Sequence, residues 1–550
     1  MDRKTAHYPA EPVSRFSFRL CIMISAAFCL ASAQSRFPDI FTIQGRGPVS
    51  TLSGKTVTCR RNIVTGLAKN GFFMQCPAFR TDNDPATSDG IFVYTKKPPE
   101  VQKGDIVTVT GRVKEFHGLT ELHLTSRIKK AGAARALPHH APVADFDPSG
   151  LEQYEGMRVI IEHCTVCGPS DRYGKALLTL NTSPGHTISI DPEGLIHTNQ
   201  HDRLFFSGTQ VDSVKGILTF SFGKYTVLPE ILYGIEPFDP ACARPARMNE
   251  FTIATYNCMR LFDTNDDFGV NDDVLTGPQY NTLIKKQARY IACSLGSPRI
   301  IAVQEVENIG VLKDLAAAVR GIDPSAGYSA VLVPGNDPGG MNIGFLTAGG
   351  IHVDSVYQYG MDMDFIWNGH RQVLFDRPPL VLICTHRLDR SKPMAVVGVH
   401  LRSRMGLQSP DSSRVHAKRT AQARALIRHI AHIENELHPG AIIVAGDFNT
   451  FPSSEQNRQK TWRPGPVYPL YNPASRLDPS ERYSYIYNGE KTCFDHILVS
   501  SNLKHRISGI MFGRGNCGAP GTMRFSRPRF RASDHDGLVV YIDMDRKRGL

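Results

Sequence analysis

No run of about eighteen apolar residues occurs in the 550-residue chain, so no segment reads as a membrane-spanning helix. An evident exposed aromatic hairpin is also missing, and no stable membrane association is expected. Zinc-finger spacing is absent too. Cys164 and Cys167 form one Cys-x-x-Cys with no second pair at the required distance, so a hairpin disulfide is expected there rather than a metal or redox site. The stretch Asp263 to Asp273 alternates carboxylates, but its glycine is misplaced for a calcium-hand loop; a solvated turn is expected, with structural Ca²⁺ as the alternative.

What is present begins with length, which exceeds what one hydrophobic core serves and implies two or three domains. Lys and Arg number 63 against 52 Asp and Glu, a formal net charge of +11. Such a surface attracts polyanions, and nucleic acid is the extracellular candidate. Arg15 and Arg19 precede an apolar run from Leu20 to Ala31 that ends in Ala31-Ser32-Ala33, so residues 1–33 read as a secretory signal and the protein as secreted or periplasmic. Of twelve cysteines, Cys21 and Cys29 leave with that segment, and the even remainder favours disulfides of open connectivity.

Short alternating segments such as Lys55 to Cys59, Ile91 to Tyr94 and Asp105 to Val113, punctuated by Gly, Pro and Asp, make residues 36–130 an all-β region. The phrases Gly71-Phe72-Phe73-Met74-Gln75, Asp89-Gly90-Ile91-Phe92-Val93-Tyr94 and Gly104-Asp105-Ile106-Val107 resemble the OB-fold module of secreted bacterial nucleases. Phe72, Phe73 and Tyr94 could then stack on bases, although alternating aromatics are more often barrel core. A Pro/Ala/His-rich linker is expected over 131–148, a second small β domain over 149–240, and a catalytic domain over 248–545. In that last part strands alternate with helices; Ser412 to Leu437 carries Leu426, Ile427, Ile430, Ile433 and Leu437 on one face.

Six strand-like segments each meet polar residues at one end. Four finish on Asn257, Gln304-Glu305, His400 and Asp447-Phe448-Asn449, and two begin after Asp495-His496 and Ser533-Asp534-His535. With antiparallel neighbours, all six ends can share one sheet edge. Phosphodiester hydrolysis needs a hard cation held by carboxylate oxygen, a base for water, and donors for phosphoryl oxygens, and this set supplies a candidate for each. Singly, an acid at a strand end is more often a cap or turn residue; the ordered set carries the reading.

That order, Thr255-Tyr256-Asn257, Gln304-Glu305, Val399-His400-Leu401, Gly446-Asp447-Phe448-Asn449, Asp495-His496-Ile497-Leu498 and Ser533-Asp534-His535, resembles the endonuclease/exonuclease/phosphatase superfamily. The resemblance implies a multidomain chain in which all-β OB-like regions precede a four-layer α/β sandwich. It implies Mg²⁺ (with Mn²⁺ or Ca²⁺ as alternatives) on Glu305, Asn257 and Asp534, and His535 as general base oriented by Asp495. His400 and Asn449 would stabilise phosphoryl oxygens, Asp447 would position the nucleophile or a second ion, and Arg377 would grip a phosphate, with Arg402 and Arg419 as further phosphate contacts. Arg514, Arg524, Arg527, Arg529 and Arg531, interleaved with Phe525 and Phe530, suit phosphate contact plus stacking or a solvated basic loop. Two positions depart from the pattern: Met259 stands where some relatives have a carboxylate, which would put more of the metal on Asp534 and Glu305, and Asn342 stands where the family often has an acid, which would leave His400 less readily protonated. The implied activity is a secreted DNA endonuclease, with RNA also open as substrate. The alternatives are a phosphodiesterase for phospholipid or small phosphate esters and a non-catalytic nucleic-acid binder. Oligomeric state is not legible.

Overall fold

The computed structural model describes residues 37–183, 185–200, 203–386, 389–449, 470–526 and 529–545, so the expected signal segment lies outside the described residues. In the first β region, strands Thr56–Ala68, Gly71–Gln75, Gly90–Tyr94, Asp105–Phe116 and Leu119–Leu124 pair in the order first, second, third, fifth, fourth. The first strand also pairs with the fourth, so the five close on themselves. Val64, Phe72, Met74, Val93, Val109 and Leu122 fill the interior. Phe72 and Phe73 are 0% and 3% exposed, which assigns them to packing and corrects their candidacy for stacking. Tyr94 is half-buried against His123, with ring centroids 4.8 Å apart.

A second set, Arg158–Gly168, Ala176–Leu180, Thr187–Ile190, Gln210–Ser221 and Lys224–Ile235, repeats this topology strand for strand, including the parallel third–fifth pair and the first–fourth closure. The two units share an apolar seam in which Phe73, Phe92 and Leu119 meet Leu195, Ile217 and Leu228. Gly90 and Gly156 stand back to back there; a Cβ on Gly90 would fall 2.2 Å from the Gly156 carbonyl carbon. The expected disulfides are not formed: all ten cysteines among the described residues are free thiols. Cys164 and Cys167 lie at odd spacing in one strand, where side chains leave opposite faces, and their Sγ atoms approach different carbonyls, those of Val211 and Leu177.

From Glu250 onward two six-stranded sheets face each other. Phe251, Ile253, Ala302 and Phe345 of one meet Leu382, Val396, Ile443 and Ile497 of the other in a shared apolar core. Helices α1 (Gly277–Arg289) and α2 (Ile309–Ile322) cover the outer face of the first sheet, and α3 (Ser412–Leu437) that of the second. Thr276 and Gln279 form a capping box at the start of α1, and Asn308 caps α2. Helix α3 has the bounds its periodicity implies, with Leu426, Ile430 and Ile433 buried. No helix of the described residues is long and apolar enough to cross a membrane.

Candidate active site

Strand register brings the six polar ends together. Asn257 lies opposite Gln304 in the first sheet, whose last strand, Leu538–Asp543, begins opposite Thr255. In the second sheet His400 lies opposite Asp447, and Asp447 opposite Asp495. The two edges meet where Asn257 Nδ2 donates to Glu305 Oε1 at 3.0 Å and to Asp447 Oδ2 at 3.2 Å. His400 Nε2 sits between the same two carboxylates, 3.8 and 3.7 Å away.

The backbone departs from regular strand at these positions. The ladder slips at Asn257/Leu261 and at Gln304/Val306, and Glu305 and Asn449 adopt φ of 61° and 51°. A bulge redirects a side chain that regular pleating would send elsewhere, and left-handed backbone at non-glycine residues is a cost concentrated at functional sites. Gly446 is required for a different reason: a Cβ there would lie 1.9 Å from the Val399 carbonyl oxygen, so only glycine lets the two strands pair beside Asp447.

His535 Nδ1 is 2.6 Å from Asp495 Oδ2, and Ser484 Oγ accepts the Asp495 amide at 3.1 Å. Burial alone would depress the His535 pKa, but Asp495, Asp534 and Asp447 outweigh it and raise it well above the ordinary imidazole value. Burial, then the nearby Asp534, raises Glu305; burial, then Asp495, raises Asp447. His400 moves the other way, lowered by burial and then by Arg377 and His535. Its Nδ1 has no partner among the described residues, and Asn342 is engaged by the Glu307 and Gly340 carbonyls and the Gly335 amide.

The donor set fits a divalent cation. Buried carboxylates repel one another here, Asp495 Oδ1 has no partner among the described residues, and ligand atoms of Asp447, Asp495 and His535 lie within 4.8 Å of one another, a group distinct from the expected ligands Glu305, Asn257 and Asp534 beside it. Oxygen-rich, electron-dense surroundings suit a hard ion such as Mg²⁺. A second acidic group joins Asp267 and Asp272 to Glu307, which burial pushes up to about 7.

The arginines divide. Arg377 is buried and paired with Asp337 at 2.9 Å, its Nε 3.4 Å from the His400 carbonyl oxygen, so a phosphate there would compete with Asp337. Arg419 donates to the carbonyls of Arg402 and Asn449 and braces the two strand ends that carry them. Arg402 is half-buried, with its amide bound to Gln422. Arg514 is buried against Asp536 and Tyr483, Arg531 donates to the Asn516 and Ala519 carbonyls, and Arg529 pairs with Asp239. Arg527 lies outside the described residues. Phe530 packs against Phe206 and Phe238 of the preceding β unit.

Sequence reasoning missed the supports. Asp536 accepts the amides of Asn516 and Cys517, and Asn516 donates to the His535 carbonyl at 2.9 Å. Gln287 ties Tyr256 to the Cys258 and Ala532 carbonyls. Tyr485 and Phe494 set their rings 5.0 and 6.3 Å from the His535 ring. These residues carry no pattern of their own; only the aromatic–x–aromatic phrase Tyr483 to Tyr485, just ahead of Asp495, offered a signal.

Residues 252–512 match the Endonuclease/Exonuclease/phosphatase family. Solved structures similar to this chain include an endonuclease/exonuclease/phosphatase from Bacteroides vulgatus, 15% identical, covering 54% of this chain and 99% of its own, with a TM-score of 0.36. Truncated TDP2 from Caenorhabditis elegans is 14% identical, covering 54% and 98%, with a TM-score of 0.35. The human Nocturnin catalytic domain with bound sulfate is 15% identical, covering 54% and 98%, with a TM-score of 0.32. No curated protein matches the chain.

Proposed function

We propose that the protein is an exported, Mg²⁺-dependent phosphodiesterase that hydrolyses nucleic acid, foremost as a DNA endonuclease. The observation that carries this reading is the bridge from Asn257 to both Glu305 and Asp447, set beside the buried Asp495–His535 pair. Glu305, with Asn257 and Asp534, would hold the cation, which when bound offsets charge on a phosphoryl oxygen and makes water more acidic. Asp495 fixes the His535 tautomer, so Nε2 is the atom that takes the proton from the attacking water, and the carboxylate stabilises the imidazolium that results. Asn449, with its backbone held by Asp447 Oδ1 at 2.8 Å, and His400, whose burial keeps it neutral, would donate to the phosphoryl oxygens.

Export rests on the sequence of residues 1–33, and nucleic acid as substrate rests on the +11 charge and on two closed five-stranded β units of OB-like order ahead of the catalytic sheets. The test is digestion of covalently closed circular DNA by the chain from Gln34, with Mg²⁺, with EDTA, and with His535→Ala. Nicking abolished by both EDTA and the substitution supports the reading. Intact circles would overturn it and turn attention to linear DNA, RNA and phospholipid substrates.

A further inference from the structure

One loop beside the cluster is built around a buried ammonium. Lys286 of α1 is 2% exposed, and its Nζ donates to the carbonyls of Met523, Arg524 and Ser526, the last two at 3.0 Å. Burial lowers this amine to about 8, and three carbonyl acceptors compensate for the water it gives up. Arg524 fastens the same loop to the catalytic strand: its Nη2 donates to the Met259 carbonyl at 2.6 Å and the Arg260 carbonyl at 3.1 Å. The Arg260 amide in turn donates to Glu305 Oε2 at 2.9 Å. The loop is therefore tied at three carbonyls to α1 and through one guanidinium to the strand end that bears Asn257.

What it presents is a phenyl ring. Phe525 is 41% exposed, with the Arg524 guanidinium carbon 5.3 Å from its centroid. Its neighbour Arg524 is bound to the Met259 and Arg260 carbonyls, two and three residues after Asn257, so the ring is carried on a segment fastened beside the strand end that binds Glu305. Arg524 Nε is buried without a partner among the described residues, a donor that a phosphate oxygen would satisfy. A singly exposed aromatic is ordinary. A rigidly held one, joined to a basic group with an unused donor at the edge of a phosphodiester site, is suited to bind a nucleotide. Phe530 of the same loop is packed away, which leaves Phe525 as the ring available to a ligand.

We propose that Arg524 and Phe525 form a nucleotide subsite in which the phenyl stacks on an unpaired base and Arg524 takes a phosphate oxygen adjacent to the scissile one. The proposal rests on the phosphodiesterase reading for its class of substrate. In a duplex both faces of a base are covered by its neighbours, so a ring of this kind reaches a base only in single-stranded or frayed nucleic acid. Lys286 is a positioning residue for it.

The test uses the chain from Gln34, with a short fluorescein-labelled single-stranded oligonucleotide and its duplex, by anisotropy in EDTA, and with bis(p-nitrophenyl) phosphate hydrolysis in Mg²⁺. Phe525→Ala should weaken single-strand binding on the order of tenfold and duplex binding far less, and Phe525→Trp should restore it. The ratio of kcat/KM on the oligonucleotide to kcat/KM on the ester should fall by a similar factor in Phe525→Ala. Equal weakening of single strand and duplex, or no change, overturns the subsite. If the parent chain cleaves neither substrate while Phe525→Ala still loses single-strand binding, the phosphodiesterase reading fails and the subsite stands as a binding surface.

Discussion

Asp495 Oδ2 lies 2.6 Å from His535 Nδ1, with the aspartate fully buried and the imidazole 6% exposed. The contact joins the first residue of a strand in the second sheet to the residue that leads into the last strand of the first, so it both ties the two sheet edges together and orients the imidazole. Asp495→Asn keeps the shape and removes the charge. Activity on DNA should fall by on the order of a hundredfold or more, and the acidic limb of the pH–rate profile should move to lower pH. The sign follows from the cause: the Asp495 carboxylate favours the imidazolium, so removing it lowers the His535 pKa. A profile shifted to higher pH would contradict the assigned pairing.

Glu305 offers a test of the metal that does not depend on turnover. A ligand that binds only the folded state raises the melting temperature with its concentration. Mg²⁺ should therefore stabilise the parent protein in a concentration-dependent way and leave Glu305→Gln nearly unmoved. Without metal the order reverses. Burial and Asp534 raise the Glu305 pKa, so its ionised form costs stability at neutral pH and the neutral amide removes that cost. Differential scanning in EDTA and in Mg²⁺ reads both effects.

Gly446 tests whether close strand approach is what places Asp447. Its missing Cβ would overlap the Val399 carbonyl oxygen at 1.9 Å, a backbone atom that cannot swing away. Gly446→Ala should cost about 1–3 kcal/mol of stability. It should also reduce activity beyond that loss, since Asp447 is the next residue and receives the Asn257 amide. Urea unfolding alongside DNA nicking separates the two effects.

The strand-end residues and helix α3 were legible because the signal is local: a polar residue closing an apolar run, or a stripe at helical spacing. Other features depend on distance in sequence. Lys286 reaches carbonyls more than two hundred residues away, and Asp337 claims Arg377 across forty. The inward direction of Phe72 and Phe73 depends on which faces of the barrel meet the core and the second unit, which alternation alone leaves open. The second β unit repeats the first in strand order without repeating its phrases, so only the pairing shows the likeness.

Glu155 makes the junction near the two β units sensitive to pH. It is fully buried, and its Oε1 accepts the Thr120 amide at 3.1 Å and Gln44 Nε2 at 3.4 Å, while Oε2 has no partner among the described residues. Burial, then Glu152, raises its pKa well above the ordinary carboxyl value. For an acid raised on folding, the unfolded chain ionises first. The cost is absent below the unfolded pKa, grows as pH rises toward the folded pKa, and stays constant above it, at about 1.4 kcal/mol for each tenfold weakening of the acid on folding. Glu155→Gln preserves both hydrogen bonds at Oε1 and cannot ionise. It should match the parent at about pH 4, near the ordinary carboxyl pKa, and exceed it in stability at neutral pH. Hydrogen exchange in peptides spanning Gln44 and Leu119–Leu124 should show slower local opening in the variant as pH rises, after correction for intrinsic rates. Equal protection at neutral pH would mean that the carboxylate is solvated through an opening of the seam.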